Sequence, residues 1–70
     1  MSQSLREILS KNVKKYRENR HFSMEELSLL LEVDNSYISK LEKSKVNITI
    51  DKLEKLAQIL GIEVVDLFKQ

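Results

Sequence analysis

One short segment carries the polar side chains best suited to recognising another molecule. Between positions 35 and 43 the chain places Asn35, Ser36, Ser39, Lys40 and Lys43. At helical spacing these side chains fall on one face, and the apolar residues between them fall on the other. Asparagine can bond adenine in a bidentate manner, lysine can donate to guanine, and serine can pair with either. The pattern predicts a surface able to contact base edges in a DNA groove.

Basic residues near that segment could neutralise phosphates. Lys43 and Lys45 lie at its end. Residues 1–20 hold six basic and two acidic side chains, a net +4, whereas residues 21–33 hold three acidic and no basic ones, a net −3. The net charge of the whole chain is only +1, so the distribution is more informative than the total. Ordinary solvated charge stays open as the alternative interpretation of each lysine.

The elements that must position this face lie within residues 23–42. Two short amphipathic helices, at about 24–31 and 35–43, are separated by a break of three residues, Glu32, Val33 and Asp34. Helices joined by so short a break cannot lie antiparallel and must cross at a steep angle. This is the geometry of a helix-turn-helix, whose second helix is free to enter the major groove of DNA.

Capping signals place the remaining boundaries. The residues expected to cap helices are Ser4, Ser23, Asp34 and Thr49. Glutamates stand three residues after the first two, which is the capping-box spacing. Gly61 should close a helix at about 50–60 in the left-handed conformation, and His21 should do so after a helix at about 5–19. With a short helix at about 63–68, the sequence predicts an all-α domain of five helices over residues 1–70.

Length and composition exclude several classes of protein. Seventy residues form one small domain, and the chain has no cysteine, no proline and a single glycine. Disulfides and thiolate zinc sites are therefore excluded, and reduced cytoplasm is the expected location. No apolar run approaches a membrane span, and the N-terminus lacks the apolar region of a signal peptide, so no membrane partner is expected.

Residues suited to catalysis are scarce. His21 is the single histidine, and no glycine-rich phosphate loop or triad is present. His21 and Glu25 could nominally share a metal, but a lone pair at the start of a helix is a commonplace arrangement. Glu25 and Glu26 are adjacent and point apart, and both favour the N-terminus of a helix. We therefore predict no enzymatic activity, no metal and no cofactor.

Over residues 9–68 the chain resembles the Cro/C1-type helix-turn-helix family, the xenobiotic-response-element-like regulators of bacteria and phages. The matching motifs are V-K-K-Y-R at 13–17, F-S-M-E-E-L-S at 22–28, V-D-N-S-Y-I-S-K-L-E at 33–42, L-E-K-L-A-Q-I-L-G-I at 53–62 and D-L-F at 66–68. The resemblance implies a lambda-repressor-like fold and a homodimer that reads a palindromic operator in double-stranded DNA. The segment N-I-T-I at 47–50 and the short length resemble controller proteins of restriction–modification systems; small phage repressors and antitoxin-like regulators stay open.

The resemblance also implies roles for particular residues. Asn35, Ser36 and Lys40 take the base-reading positions. The positions at the DNA backbone or groove edge are Met24, Tyr37, Ser39, Lys43 and Lys45. Arg17 and Glu42 occupy the positions of a structural ion pair. Met24 stands where a phosphate-binding glutamine is frequent, and Asp34 where serine or threonine is usual.

Two apolar features indicate partners. Val65 stands where the family usually has a polar residue, and with Val64, Leu67 and Phe68 it predicts a dimer interface on the last helix. Leu29 and Leu30 lie off the apolar stripe of the second helix, either as extra core contacts or as a partner surface. The second reading keeps open an alternative function, a protein-interaction module that retains the fold without strong DNA binding.

Overall fold

The computed structural model describes residues 4–70, which form four α-helices and a final 3-10 helix, with no strand among them. The α-helices are α1 (Leu5–Asn19), α2 (Met24–Leu31), α3 (Tyr37–Glu42) and α4 (Ile50–Leu60). The 3-10 helix spans Val64–Phe68. The predicted all-α fold is confirmed, with one difference: the fifth helix is a 3-10 helix because it is too short to develop regular i→i+4 bonds.

Side-chain caps explain where three of the helices begin. The hydroxyl of Ser4 accepts from the backbone N–H of Glu7 at 3.2 Å, and that of Thr49 accepts from Lys52 at 3.2 Å. At α2 the capping box is complete: Ser23 Oγ accepts from the N–H of Glu26 at 2.9 Å, and the Glu26 carboxylate accepts from the N–H of Ser23 at 2.8 Å. These contacts satisfy backbone donors that have no partner inside the helix.

The core lies where all five helices meet. Its buried members are Leu9, Val13, Leu27, Leu31, Ile38, Leu41, Leu56, Ala57, Leu60 and Leu67. They come from one face of each helix, as the spacing of apolar residues predicts. Each fully buried aliphatic side chain contributes roughly 1.5–3 kcal/mol, so packing of these faces holds together helices that are too short to persist alone.

The corner between α2 and α3 differs from the prediction. Helix α3 begins at Tyr37 rather than at 35, and no side chain caps it. Ser36 occupies the cap position with φ −93° and ψ −2°, a near-helical conformation in which the side chain does not reach back. The turn uses backbone bonds instead: the carbonyl of Asp34 accepts from the N–H of Tyr37 at 3.0 Å. The expected capping role of the Asp34 side chain is therefore wrong.

Ser28 fixes the angle of that corner. Its side chain is completely buried, and its hydroxyl accepts from the backbone N–H of Ile38 at 3.2 Å. Its carbonyl accepts from the N–H of Val33 at 3.0 Å. A small polar residue at this point lets α3 approach α2 closely and satisfies a donor that α3 cannot satisfy itself.

Candidate nucleic-acid interface

The residues expected to read bases lie at the start of α3 and in the turn before it. Asn35 and Lys40 are exposed and Ser36 is half-buried. Asn35 and Ser36 belong to the turn, whereas Lys40 projects from α3 itself. Because the turn is fixed by backbone bonds, the structure presents these three side chains on one rigid support.

A buried ion pair joins α3 to α1. Arg17 donates from Nε to Glu42 Oε2 at 2.7 Å and from the second amino nitrogen to Oε1 at 3.1 Å. Its remaining amino nitrogen donates to the carbonyl of Phe22 at 2.9 Å. The side chains are only 10% and 8% exposed. The hydrogen bonds to the Glu42 carboxylate raise the pKa of Arg17 above its ordinary value, so the guanidinium stays charged.

A cationic cleft lies beside this ion pair. It has a volume of about 440 Å³ and is lined by Lys14, Arg17, Glu18, Met24, Ser39, Glu42 and Lys43. Lys14 and Lys43 are exposed, and neither forms an ion pair with another residue in the described range 4–70. The cleft also contains the first residue of α2, where the helix dipole is positive. This arrangement suits a phosphate group, although the carboxylate of Glu18 opposes it.

The other predicted edge residues surround the cleft and α3. Ser39 is half-buried and lines the cleft, and Met24 is 39% exposed at the same place. Partial burial raises the pKa of Tyr37 above its ordinary value, so its phenol stays protonated and can donate. Lys45 is exposed just after α3, where its backbone N–H donates to the carbonyl of Lys40 at 2.8 Å.

The predicted dimer residues separate into two groups. Val65 is 63% exposed, and Val64 and Phe68 are half-buried. Leu67 is completely buried because it points from the 3-10 helix into the core, so it has no surface left for a second copy. Its assignment to a dimer interface is therefore wrong.

Two polar side chains that the sequence did not single out hold these elements in place. The amide of Asn12 donates to the carbonyls of Leu67 and Lys69, both at 2.8 Å, and ties the 3-10 helix to α1. Ser10 is buried, donates to the carbonyl of Leu41 at 2.8 Å and bonds Ser44 Oγ at 2.7 Å. Both residues lie next to the apolar stripe of α1, and a polar residue at such a position is the sequence feature that could have indicated a buried hydrogen bond.

The two leucines left open by the sequence are on the surface. Leu29 is 76% exposed and Leu30 is 45% exposed, because Leu27, Ser28 and Leu31 form the face of α2 that packs on the core. The interpretation of Leu29 and Leu30 as extra core contacts is therefore wrong.

Comparison with known proteins identifies the class of this fold. A helix-turn-helix family model matches residues 13–67. The chain belongs to this Cro/C1-type family. A relative, the Neisseria hypothetical transcription factor of Neisseria meningitidis serogroup B, is 35% identical over 65 residues, which are 93% of this chain and 61% of the relative. The chain thus spans less than two thirds of the length of that relative.

Solved structures of helix-turn-helix regulators share the fold. The restriction–modification controller protein C.AhdI from Aeromonas hydrophila has a TM-score of 0.83 and 28% identity, covering 90% of this chain and 96% of its own. SinR, a master regulator for biofilm formation solved in complex with DNA, has a TM-score of 0.78 and 31% identity, covering 87% of this chain and 98% of its own. The recognition of the family from its motifs is confirmed.

No helix in the described part of the chain is long and apolar enough to cross a membrane. Residues 4–70 also contain no group of three or more histidine and carboxylate side chains that could hold a metal ion.

Proposed function

We propose that this protein is a sequence-specific transcriptional regulator that binds double-stranded DNA with α3 in the major groove. The observation that carries the proposal is the polar face formed by the exposed Asn35 and Lys40 and the half-buried Ser36. This face lies on a corner fixed by backbone bonds, beside a cleft with two lysines that form no ion pair within residues 4–70. A side chain that must meet a particular base edge needs such a rigid support. Binding to DNA also implies a cytoplasmic location in a bacterial cell.

Within this proposal the contacts divide into two kinds. Asn35, Ser36 and Lys40 contact base edges and supply sequence specificity. Tyr37, Ser39, Lys43 and Lys45 contact the DNA backbone or the edge of the groove and supply affinity and register. Arg17 and Glu42 contact no DNA and act as positioning residues, since their ion pair fixes the end of α3 against α1.

The start of α2 supports a phosphate contact through the backbone. The capping box already occupies the N–H groups of Ser23 and Glu26. Among the residues described, the first turn therefore offers a ligand the N–H groups of Met24 and Glu25. Met24 contributes that backbone donor and its apolar side chain, which can lie against a deoxyribose or a thymine methyl group.

The proposed regulator acts as a homodimer on a palindromic operator. Two-fold related copies place their recognition helices one DNA turn apart, about 34 Å. The molecule measures 34 × 23 × 22 Å, so its dimensions are comparable with that spacing. The likeness to C.AhdI supports a controller protein among the regulator subtypes.

Selection of binding sites from a random DNA pool tests the function. We expect a consensus with two-fold symmetry. Gel shifts on that consensus should weaken steeply as salt rises, because lysine–phosphate contacts release counterions. A selected pool without a consensus, together with equal binding of consensus and scrambled duplexes, would contradict the proposal.

The exposed leucines favour a second candidate, a protein-interaction module. Leu29 and Leu30 lie on α2, which carries Glu25 and Glu26 and is followed directly by Glu32. These three negative charges disfavour contact with DNA. If the chain bound no DNA at moderate salt but a Leu29→Glu variant lost a protein partner, this candidate would replace the regulator.

A further inference from the structure

Met24 is the residue of the cationic cleft that a mild oxidant can change. The chain has two methionines, Met1 and Met24, and contains neither cysteine nor tryptophan. Methionine sulfur is therefore the main target of a peroxide in this protein, and oxidation converts its thioether to a sulfoxide. Met24 lines the cleft and is 39% exposed, so a molecule as small as hydrogen peroxide can reach its side chain.

The surroundings of Met24 allow this change without loss of the fold. Met24 is the first residue of α2 and does not belong to the buried core. The capping box that begins the helix is made by Ser23 and Glu26, so it does not depend on the Met24 side chain. Oxidation of a core methionine disrupts packing, whereas a sulfoxide at this position stays in contact with water. Its effect should therefore fall on what the cleft binds.

Oxidation reverses the character of this side chain. A thioether is only a weak acceptor, whereas a sulfoxide is polar, and its oxygen accepts hydrogen bonds but donates none. Lys14 and Lys43 line the same cleft, and neither forms an ion pair within residues 4–70. A sulfoxide oxygen beside these ammonium groups would accept their hydrogen bonds and oppose a phosphate, because both groups are acceptors that compete for the same donors.

We propose that Met24 is an oxidation site through which a peroxide weakens the binding of DNA. In this step the sulfur of Met24 gains an oxygen atom from hydrogen peroxide and a water molecule leaves, so the sulfur is oxidised and the peroxide is reduced. Methionine sulfoxide reductases restore the thioether, with a dithiol that becomes a disulfide as water leaves. The inference rests on the proposed function, because it requires a DNA phosphate in the cleft.

Gel shifts on the selected consensus duplex, before and after treatment with hydrogen peroxide, test the proposal. Peptide mass spectrometry should show oxygen gained at Met24, and circular dichroism should show unchanged folding. We expect the affinity to fall about tenfold, as for the loss of one hydrogen bond to a charged group, and to recover after treatment with the reductases and dithiothreitol. The matched control is Met24→Leu, which retains Met1, and its affinity should be the same before and after peroxide.

Bound DNA supplies a second measurement. A phosphate in the cleft would cover Met24, so saturating consensus duplex should slow its oxidation, whereas a scrambled duplex, at a salt concentration where it gives no shift, should not. Equal rates with both duplexes would overturn the proposal. So would full oxidation of Met24 with unchanged affinity, or equal losses of affinity in the wild type and Met24→Leu. These outcomes contradict the proposal alone, whereas an untreated protein that shifts no DNA would contradict the proposed function as well.

Discussion

Replacing Glu42 with glutamine is the sharpest test of how α3 is held. The substitution keeps the shape of the side chain but removes the negative charge that faces Arg17 at 2.7 and 3.1 Å. The guanidinium keeps its bond to the carbonyl of Phe22 at 2.9 Å but loses its counter-charge. Because Arg17 is only 10% exposed, water cannot fully replace the carboxylate.

The expected loss follows from the burial of the pair. Removing one partner of a buried ion pair costs about 3–5 kcal/mol. Both residues line the cationic cleft, where water has partial access, so we expect a loss at or just below the bottom of that range, about 2–3 kcal/mol. A domain of this length has a total stability of roughly 3.5–10 kcal/mol. At about 4–8 °C per kcal/mol, the melting temperature should fall by about 10–20 °C.

Urea unfolding followed by circular dichroism measures this loss, and a double variant supplies the control. Arg17→Met combined with Glu42→Leu replaces the pair by apolar side chains of similar size, which is often neutral or stabilising. We expect the double variant to be more stable than Glu42→Gln. A Glu42→Gln protein within about 0.5 kcal/mol of the wild type would refute the reasoning, because it would show that the pair carries no more than a surface contact.

Three further predictions use other features of the structure. Lys43→Ala should weaken binding to all DNA sequences alike and reduce the magnitude of the slope of log affinity against log salt by about 1. Gel shifts at several salt concentrations measure this slope. An unchanged slope would show that Lys43 does not contact a phosphate. His21→Gly should raise the free energy of unfolding by about 0.5–1 kcal/mol. His21 has φ 59°, and a left-handed residue other than glycine costs about 1–2 kcal/mol, but glycine offsets part of this gain because it increases the entropy of the unfolded chain. A lower stability would contradict the assigned strain. Hydrogen bonds from the N–H and hydroxyl of Ser23 lower the pKa of Glu26 below its ordinary value of 4.5. The contribution of Glu26 to the free energy of unfolding is therefore present above pH 4.5 and is lost as the pH falls through the lower pKa of the folded state. Urea unfolding at several acidic pH values should show a smaller loss of stability in Glu26→Gln than in the wild type, and an equal loss in both proteins would refute this prediction.

The sequence predicted best the features that depend on local contacts. The observed bounds of α1, α2 and α4 coincide with the ranges expected from caps and apolar spacing. The left-handed residues His21 and Gly61 also adopt the expected conformation, with φ 59° and 72°. Each of these signals is contained within one helix and its flanks, so no tertiary contact is needed to predict it.

The corner and the surfaces were less predictable because they depend on distant residues. Asp34 has the ideal residue type for a cap, yet α3 begins at Tyr37 without a side-chain cap. The nearby N–H of Ile38 instead donates to the hydroxyl of Ser28, a residue of the preceding helix. One groove in the surface is lined by residues from three separate parts of the chain, among them Leu5, Ile48 and Phe68. Leu67 could be recognised as core only from its neighbours. Periodicity assigns a residue to a face of its helix but does not show what covers that face.

In the proposed regulator, one departure from the family pattern connects the phosphate contacts to dimerisation. With Met24 in place of a phosphate-binding glutamine, the contact at the start of α2 depends on backbone donors, and most of the remaining attraction to phosphate comes from lysines. Such contacts weaken as salt rises, whereas apolar contacts between two copies do not depend on charge. In the proposed regulator, affinity for the operator at elevated salt therefore depends increasingly on the contact between the two copies, to which the exposed Val65 would contribute. Binding of the palindrome by Val65→Glu should consequently fall off with salt at lower concentrations than binding by the wild type.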